Sequence, residues 1–192
     1  MEQPLQAPRI VVRLCAEPFD AAQEERDILA TGADIGALVA FTGLCRSEAG
    51  AVAALELEHY PGMAEREIAK IAQRAARRWP LIALTALHRH GRLHPGEKIV
   101  LVLAAAKGRA EAFAAAEFVM DYLKSRAPFW KRAILADGSD GGWIEAKTLD
   151  EAALSRWENG ASNDEAAPRR EDMHEPGVQG GRGDRDDKRD EG

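Results

Sequence analysis

The chain has 192 residues, 45% hydrophobic and 30% charged, with a formal net charge of −6 at pH 7. That is the material of one globular domain with an appendage, and the acidic balance argues against a general nucleic-acid binder, whose affinity rests on many distributed cations. No run of about 18 apolar residues occurs and the N-terminus lacks the basic-then-apolar design of a secretory signal, so the sequence predicts a cytoplasmic protein with no membrane span.

In chain order, RIVVRL (9–14) reads as a strand, and DAAQEERDILA (20–30) as a helix with Asp20 as its N-cap. IGALVAFTG (35–43) is a largely apolar run ending in Gly, the pattern of a buried strand. VAALELEH (52–59) alternates Leu55 and Leu57 with Glu56 and Glu58, which sets the carboxylates on one face of a half-buried strand. In the next segment Ile68, Ile71, Ala72, Ala75 and Trp79 share one helical stripe, stopped by Pro80.

LIALTALHRH (81–90) and KIVLVLAAA (98–106) flank a loop with Gly91 and Pro95-Gly96, which predicts an antiparallel pair. A helix over about 109–126 aligns Phe113, Ala116, Met120 and Leu123, and Pro128 ends it. FWKRAILAD and GWIEA form a closing hairpin across Gly138 to Gly142. The class is α+β, with a mixed or antiparallel sheet and two principal helices over 1–158. Residues 159–192 hold ten acidic and six basic residues and almost no aliphatic ones. Such a segment cannot bury enough apolar surface to offset its ordering entropy, so a disordered charged tail is expected.

Several side chains are candidates for chemistry. His88, His90 and His94 have a spacing that permits one metal, although packing histidines fit the same pattern. The two cysteines, Cys15 and Cys45, form no CxxC pair, so no disulfide framework or cysteine zinc site is indicated. Cys45 precedes Arg46: the guanidinium can favour a thiolate, or the cysteine is a small hydrophobe in the core. Arg46, after an apolar strand, either presents a fixed cation to an anion or sits in a salt bridge. YLKSRAPFWKR (122–132) gathers Lys124, Arg126, Lys131 and Arg132 around Pro128, Phe129 and Trp130. Lys124 at a helix end also offsets the helix dipole, while Lys131 beside aromatics expected to be partly buried is a candidate for proton transfer. With Arg109 at the helix entry as a phosphate fork, these cations describe an anion pocket.

Five separated motifs, GALVAFTGLCR (36–46), LELEHYPGMAE (55–65), HRHGRLHPGE (88–97), AFAAAEFVMDYLKSRAPFWKR (112–132) and GWIEA (142–146), together resemble the large, catalytic subunit family of molybdopterin synthase. The resemblance runs from about Val11 to Trp157. It implies an α/β hammerhead-like fold and a homodimer within a heterotetramer, with a ubiquitin-like sulfur-carrier small subunit docked on each end. It also implies sulfur transfer from the carrier's thiocarboxylate to cyclic pyranopterin monophosphate, forming the dithiolene of molybdopterin. Because the carrier brings the sulfur, no resident cofactor or metal is implied, and Cys45 need not be the donor.

Carried over by position, the family's catalytic residues fall on Lys124 and Lys131. Its substrate pocket falls on Arg46, Arg109, Lys124 and Lys131, with Arg132, Cys45 and Gly108 beside it. The sequence departs from the pattern at Gly108, where the family usually has His, and at Ala133, where it tends to be acidic. Two other readings stand beside this one: a carrier-binding scaffold paralogue that has lost turnover, and a metal-dependent hydrolase built on the three histidines.

Overall fold

The computed structural model describes residues 7–144 and 155–157. In chain order the elements are β1 (Arg9–Cys15), α1 (Ala21–Leu29), β2 (Ala37–Leu44), β3 (Val52–His59), α2 (Met63–Arg78), β4 (Leu81–Arg89), β5 (Gly91–Leu93), β6 (Lys98–Ala106), α3 (Arg109–Ser125), β7 (Phe129–Leu135) and β8 (Asp140–Ile144). The α+β class holds. The single sheet expected from the sequence is instead two four-stranded sheets, ordered β1-β4-β6-β2 and β5-β3-β7-β8. In the first, β1 runs parallel to β4, whereas β4 with β6 and β6 with β2 are antiparallel.

Strand alternation in the central pair β4 and β6 builds two cores at once. Leu84 and Ala86 with Val100, Val102, Ala104 and Ala106 face α2 and α3. Ala83 and Leu87 with Leu101, Leu103 and Ala105 face the opposite way, onto Phe19 and Ile28 at α1. Both strands therefore read as continuous apolar runs, because neither face meets water.

Local signals explain the helix ends. Asp20 caps α1, its carboxylate accepting from the Ala22 amide at 3.0 Å. Helix α2 stops where Trp79 turns extended (φ −128, ψ 146), as a residue before proline is driven to do. Its buried stripe is the predicted one, Ile68, Ile71, Ala72 and Ala75. Residues 155–157 add a helical turn against α2 and α3: the Trp157 indole donates to Asp121 at 2.7 Å and meets Trp79 and Phe118 edge-on.

Two further expectations fail. β2 is an edge strand, so Phe41 and Leu44 are exposed (39% and 53%) and the strand is not fully buried. Phe113 is 62% exposed. The buried stripe of α3 instead includes Ala112, Ala115, Ala116, Val119 and Leu123, and at 3.6 residues per turn Phe113 lies well to one side of it. The expected tail lies outside the described residues, as do residues 145 and 146 of the last motif. Among the described residues no helix is long and apolar enough to cross a membrane.

Phe118, 1% exposed, joins α3 to Trp79 and Trp157 and packs against Tyr122 of its own helix. Phe118→Ala is expected to destabilise the domain by about 3–5 kcal/mol, read as a lower urea midpoint at unchanged slope.

Candidate active site

Helix α3 ends at Ser125 and β7 begins at Phe129, so the chain turns within Arg126, Ala127 and Pro128. The Arg126 amide closes the last helical bond onto the Tyr122 carbonyl at 2.8 Å, and the Phe129 amide bonds the Ala127 carbonyl at 2.8 Å. Pro128 offers no amide to extend the helix. This corner brings Lys124, in the last turn of α3, and Lys131, on β7, to one pocket of about 210 Å³.

Much of the rest of the pocket comes from the α3 side of the first sheet. Phe41 and Gly43 of β2, His88 of β4, Val100 of β6, and Met120 and Leu123 of α3 line it. Gly43 keeps it open: a Cβ there would lie 2.6 Å from Val100 Cγ1, and β2 shifts register at Gly43/Leu44.

The other candidates lie elsewhere. Arg109 and Lys124 sit at opposite ends of α3, fifteen residues apart, and a rise of about 1.5 Å per residue separates them by about 22 Å along the axis. One chain therefore cannot use both on one small anion. Gly108 is the N-cap of α3, and a Cβ there would collide with Glu111 Oε2, so a side chain at 108 would displace the Glu111 carboxylate. Arg46 is exposed and pairs with Glu48 at 2.6 Å, two residues beyond the pocket-lining Leu44. Arg132 points to the opposite face of β7 from Lys131, as alternation requires, and lies 3.6 Å from Asp140 and over the Trp143 ring. Trp130 shares that outer face and is 52% exposed, so of the two aromatics expected to be partly buried only Phe129 is.

Cys45 is buried with Leu57 and Leu93, and that burial pushes its thiol pKa up, so it packs as a hydrophobe rather than as a thiolate. Nor do the three histidines converge on a metal. His88 is buried, His90 meets the His59 ring at 4.4 Å, and His94 Nδ1 lies 3.1 Å from the Ala53 carbonyl. No group of three His, Cys, Asp or Glu among the described residues is placed to hold a metal ion.

In the sequence His88 reads only as a metal or packing residue. Its place in the pocket was nonetheless encoded, since it continues the Leu84 and Ala86 face of β4. Burial lowers its pKa from the ordinary 6.5 to about 4; the bond to the Arg89 carbonyl opposes this, and the Lys131 charge reinforces it. The pocket thus combines two cationic side chains with a neutral imidazole and apolar walls, an arrangement fitted to an anionic substrate.

The family model described as MoaE protein matches residues 14–126. A molybdopterin synthase catalytic subunit from Mesorhizobium japonicum is 58% identical over 148 residues, 77% of this chain and 93% of its own. Among solved structures, the molybdopterin biosynthesis MoaE protein from Burkholderia ambifaria is 47% identical with a TM-score of 0.67, covering 78% of this chain and 98% of its own. Molybdopterin synthase from Staphylococcus aureus is 30% identical with a TM-score of 0.60, covering 74% of this chain and 99% of its own.

The depressed His88 pKa has a stability consequence. As pH falls below 6.5 the unfolded chain takes up a proton that the native imidazole refuses until about pH 4, so native stability is lost across that window. The loss from this group is up to roughly 3 kcal/mol. Urea unfolding of the wild type and His88→Gln between pH 7 and pH 4 checks it: the variant's stability is expected to fall less steeply.

Proposed function

Because the chain belongs to the MoaE protein family and serves molybdenum cofactor biosynthesis as an enzyme subunit, we propose that it transfers sulfur from a thiocarboxylated, ubiquitin-like carrier subunit to cyclic pyranopterin monophosphate. The observation that carries this reading is the convergence of Lys124 and Lys131, from two sides of one corner, on one pocket. A thiocarboxylate and a phosphate both bring negative charge, and a hydrogen bond to a charged group is worth about 1.5–3 kcal/mol. The name of the relative, a catalytic subunit, supports a second kind of subunit as partner.

In this reaction the thiocarboxylate sulfur displaces an oxygen from a substrate carbon: the carbon–sulfur bond forms, that carbon's bond to oxygen breaks, the oxygen leaves with a proton, and the carrier's acyl group stays attached through sulfur. Water adds to the acyl carbon, and negative charge collects on the acyl oxygen of the tetrahedral intermediate. Lys124 stabilises that oxyanion. The acyl carbon–sulfur bond then breaks, the carrier departs as a carboxylate, and the thiolate stays on the substrate. A second carrier repeats the cycle to complete the dithiolene. Lys131 holds the phosphate or assists proton transfer. Sulfur and substrate both arrive from outside, so the residues need no resident cofactor.

In the same reading two copies pair within a heterotetramer. Arg109, about 22 Å along the helix from Lys124 of its own chain, is then available to the pocket of its neighbour. Arg46 joins it on the phosphate by releasing Glu48.

Lys124→Ala is expected to abolish dithiolene formation from thiocarboxylated carrier and cyclic pyranopterin monophosphate, while carrier affinity, measured by calorimetry, stays within about three-fold. Normal turnover in that variant rules out the assignment. Co-expressed Lys124→Ala and Arg109→Ala chains are expected to recover activity that neither variant has alone. Failure to recover, with mixed dimers formed, argues against sharing of the pocket.

A further inference from the structure

The proposed reaction leaves one polar group of the pocket unused. His88 is 6% exposed, and its Nδ1 lies 2.7 Å from the Arg89 carbonyl oxygen. A carbonyl oxygen can only accept, so in the neutral ring Nδ1 carries the hydrogen and Nε2 keeps its lone pair. The carbonyl is itself held, because the Arg89 guanidinium is buried and donates to the Ala16 carbonyl at 3.0 and 3.1 Å and to Glu97 at 3.3 Å. The ring is held too: Phe129 stacks on it with centroids 3.9 Å apart and planes 15° from parallel. The corner that delivers Lys131 therefore also clamps His88.

The pocket's other side chains set the role of that lone pair. Both lysines are donors, and the remaining lining side chains are hydrocarbon or thioether apart from Gly43, which has none. His88 Nε2 is thus the strong side-chain acceptor among the described lining residues. The neighbouring Lys131 charge and the burial both keep the ring in its accepting, neutral form.

We propose that His88 is a substrate-contacting residue, whose Nε2 accepts a hydrogen bond from an N–H or O–H group of the same molecule whose anionic group the lysines hold. The pocket then selects for an anion and a hydrogen-bond donor on one molecule. This deepens the sulfur-transfer reading and rests on it: a pyranopterin carries ring and amine N–H groups beside its phosphate.

Calorimetry of cyclic pyranopterin monophosphate with the full chain, together with steady-state kinetics in the presence of thiocarboxylated carrier, tests the proposal. His88→Leu removes the acceptor, and His88→Gln restores a neutral one. His88→Leu is expected to weaken substrate binding and raise KM by about ten-fold or more with a smaller change in kcat, and His88→Gln to stay within about three-fold of wild type. Sulfate, an anion with no donor, serves as the control and is expected to raise the melting temperature of all three proteins equally. If His88→Leu does not fold, His88→Met carries the same comparison.

Wild-type affinity for the pterin in a folded His88→Leu or His88→Met protein overturns the proposal. Equal losses in the glutamine and leucine variants, or a lost sulfate response in the leucine variant, assign His88 a purely structural role and overturn it as well. If the wild type responds to sulfate but binds no pterin phosphate, the substrate reading itself fails and takes this inference with it.

Discussion

Between the last turn of α3 and the first residue of β7 lie three residues, Arg126, Ala127 and Pro128, and the placement of the pocket's charges depends on that corner. A longer connection would let the helix end and the strand move independently. This one is closed at both ends, the Arg126 amide bonding the Tyr122 carbonyl and the Phe129 amide the Ala127 carbonyl, so Lys124 and Lys131 are held on either side of it. Its first strand residue, Phe129, stacks on His88 and fixes the floor of the pocket. Two lysines beside a neutral imidazole offer charged donors to an anion in the pocket. Preorganised charge of this kind needs little rearrangement when negative charge develops during reaction.

The corner is only as firm as the layers behind it. Helix α3 rests on β6 through small residues, Ala112, Ala115 and Ala116, which let it approach the sheet closely, and Phe118 ties it laterally to α2 and to Trp157. The second sheet carries Lys131 and is locked by the pairing of β3 with β7, where Leu57 stands opposite Lys131 and Glu56 opposite Arg132. One strand thus gives a cation to each side: Lys131 to the pocket, Arg132 to the carboxylates and Trp143 of the outer face. Arg132 is held among the groups of the outer face, whereas Lys131 lines the pocket.

Much of this was legible in the sequence wherever a local rule acts without competition. Asp20 as a cap, Pro80 and Pro128 as stops, and the β4/β6 pair all follow from short-range stereochemistry and period-2 patterning. The failures share a cause, since they depend on which elements meet in space. An apolar run such as IGALVAFTG reads as buried, yet its place at a sheet edge, set by strand order, exposes Phe41 and Leu44. Phe113 fits a spacing of three and four, but the alanine stripe that the sheet accepts lies on a different face of α3. Arg109 and Lys124 read as partners in a list of cations; the length of the helix between them shows that one chain cannot bring them together. The corner lysines survive this test because three residues of turn leave them little freedom to part.

In the proposed reaction Lys124 and Lys131 act on one bound molecule. A double-mutant cycle on kcat/KM for dithiolene formation, with Lys124→Arg, Lys131→Arg and both together, measures it most directly, since arginine keeps the charge and leaves activity to measure. Strong non-additivity is expected, the double variant losing much less than the product of the two single losses. Losses that simply multiply would show two lysines working independently, and would contradict the shared pocket on which the rest is built.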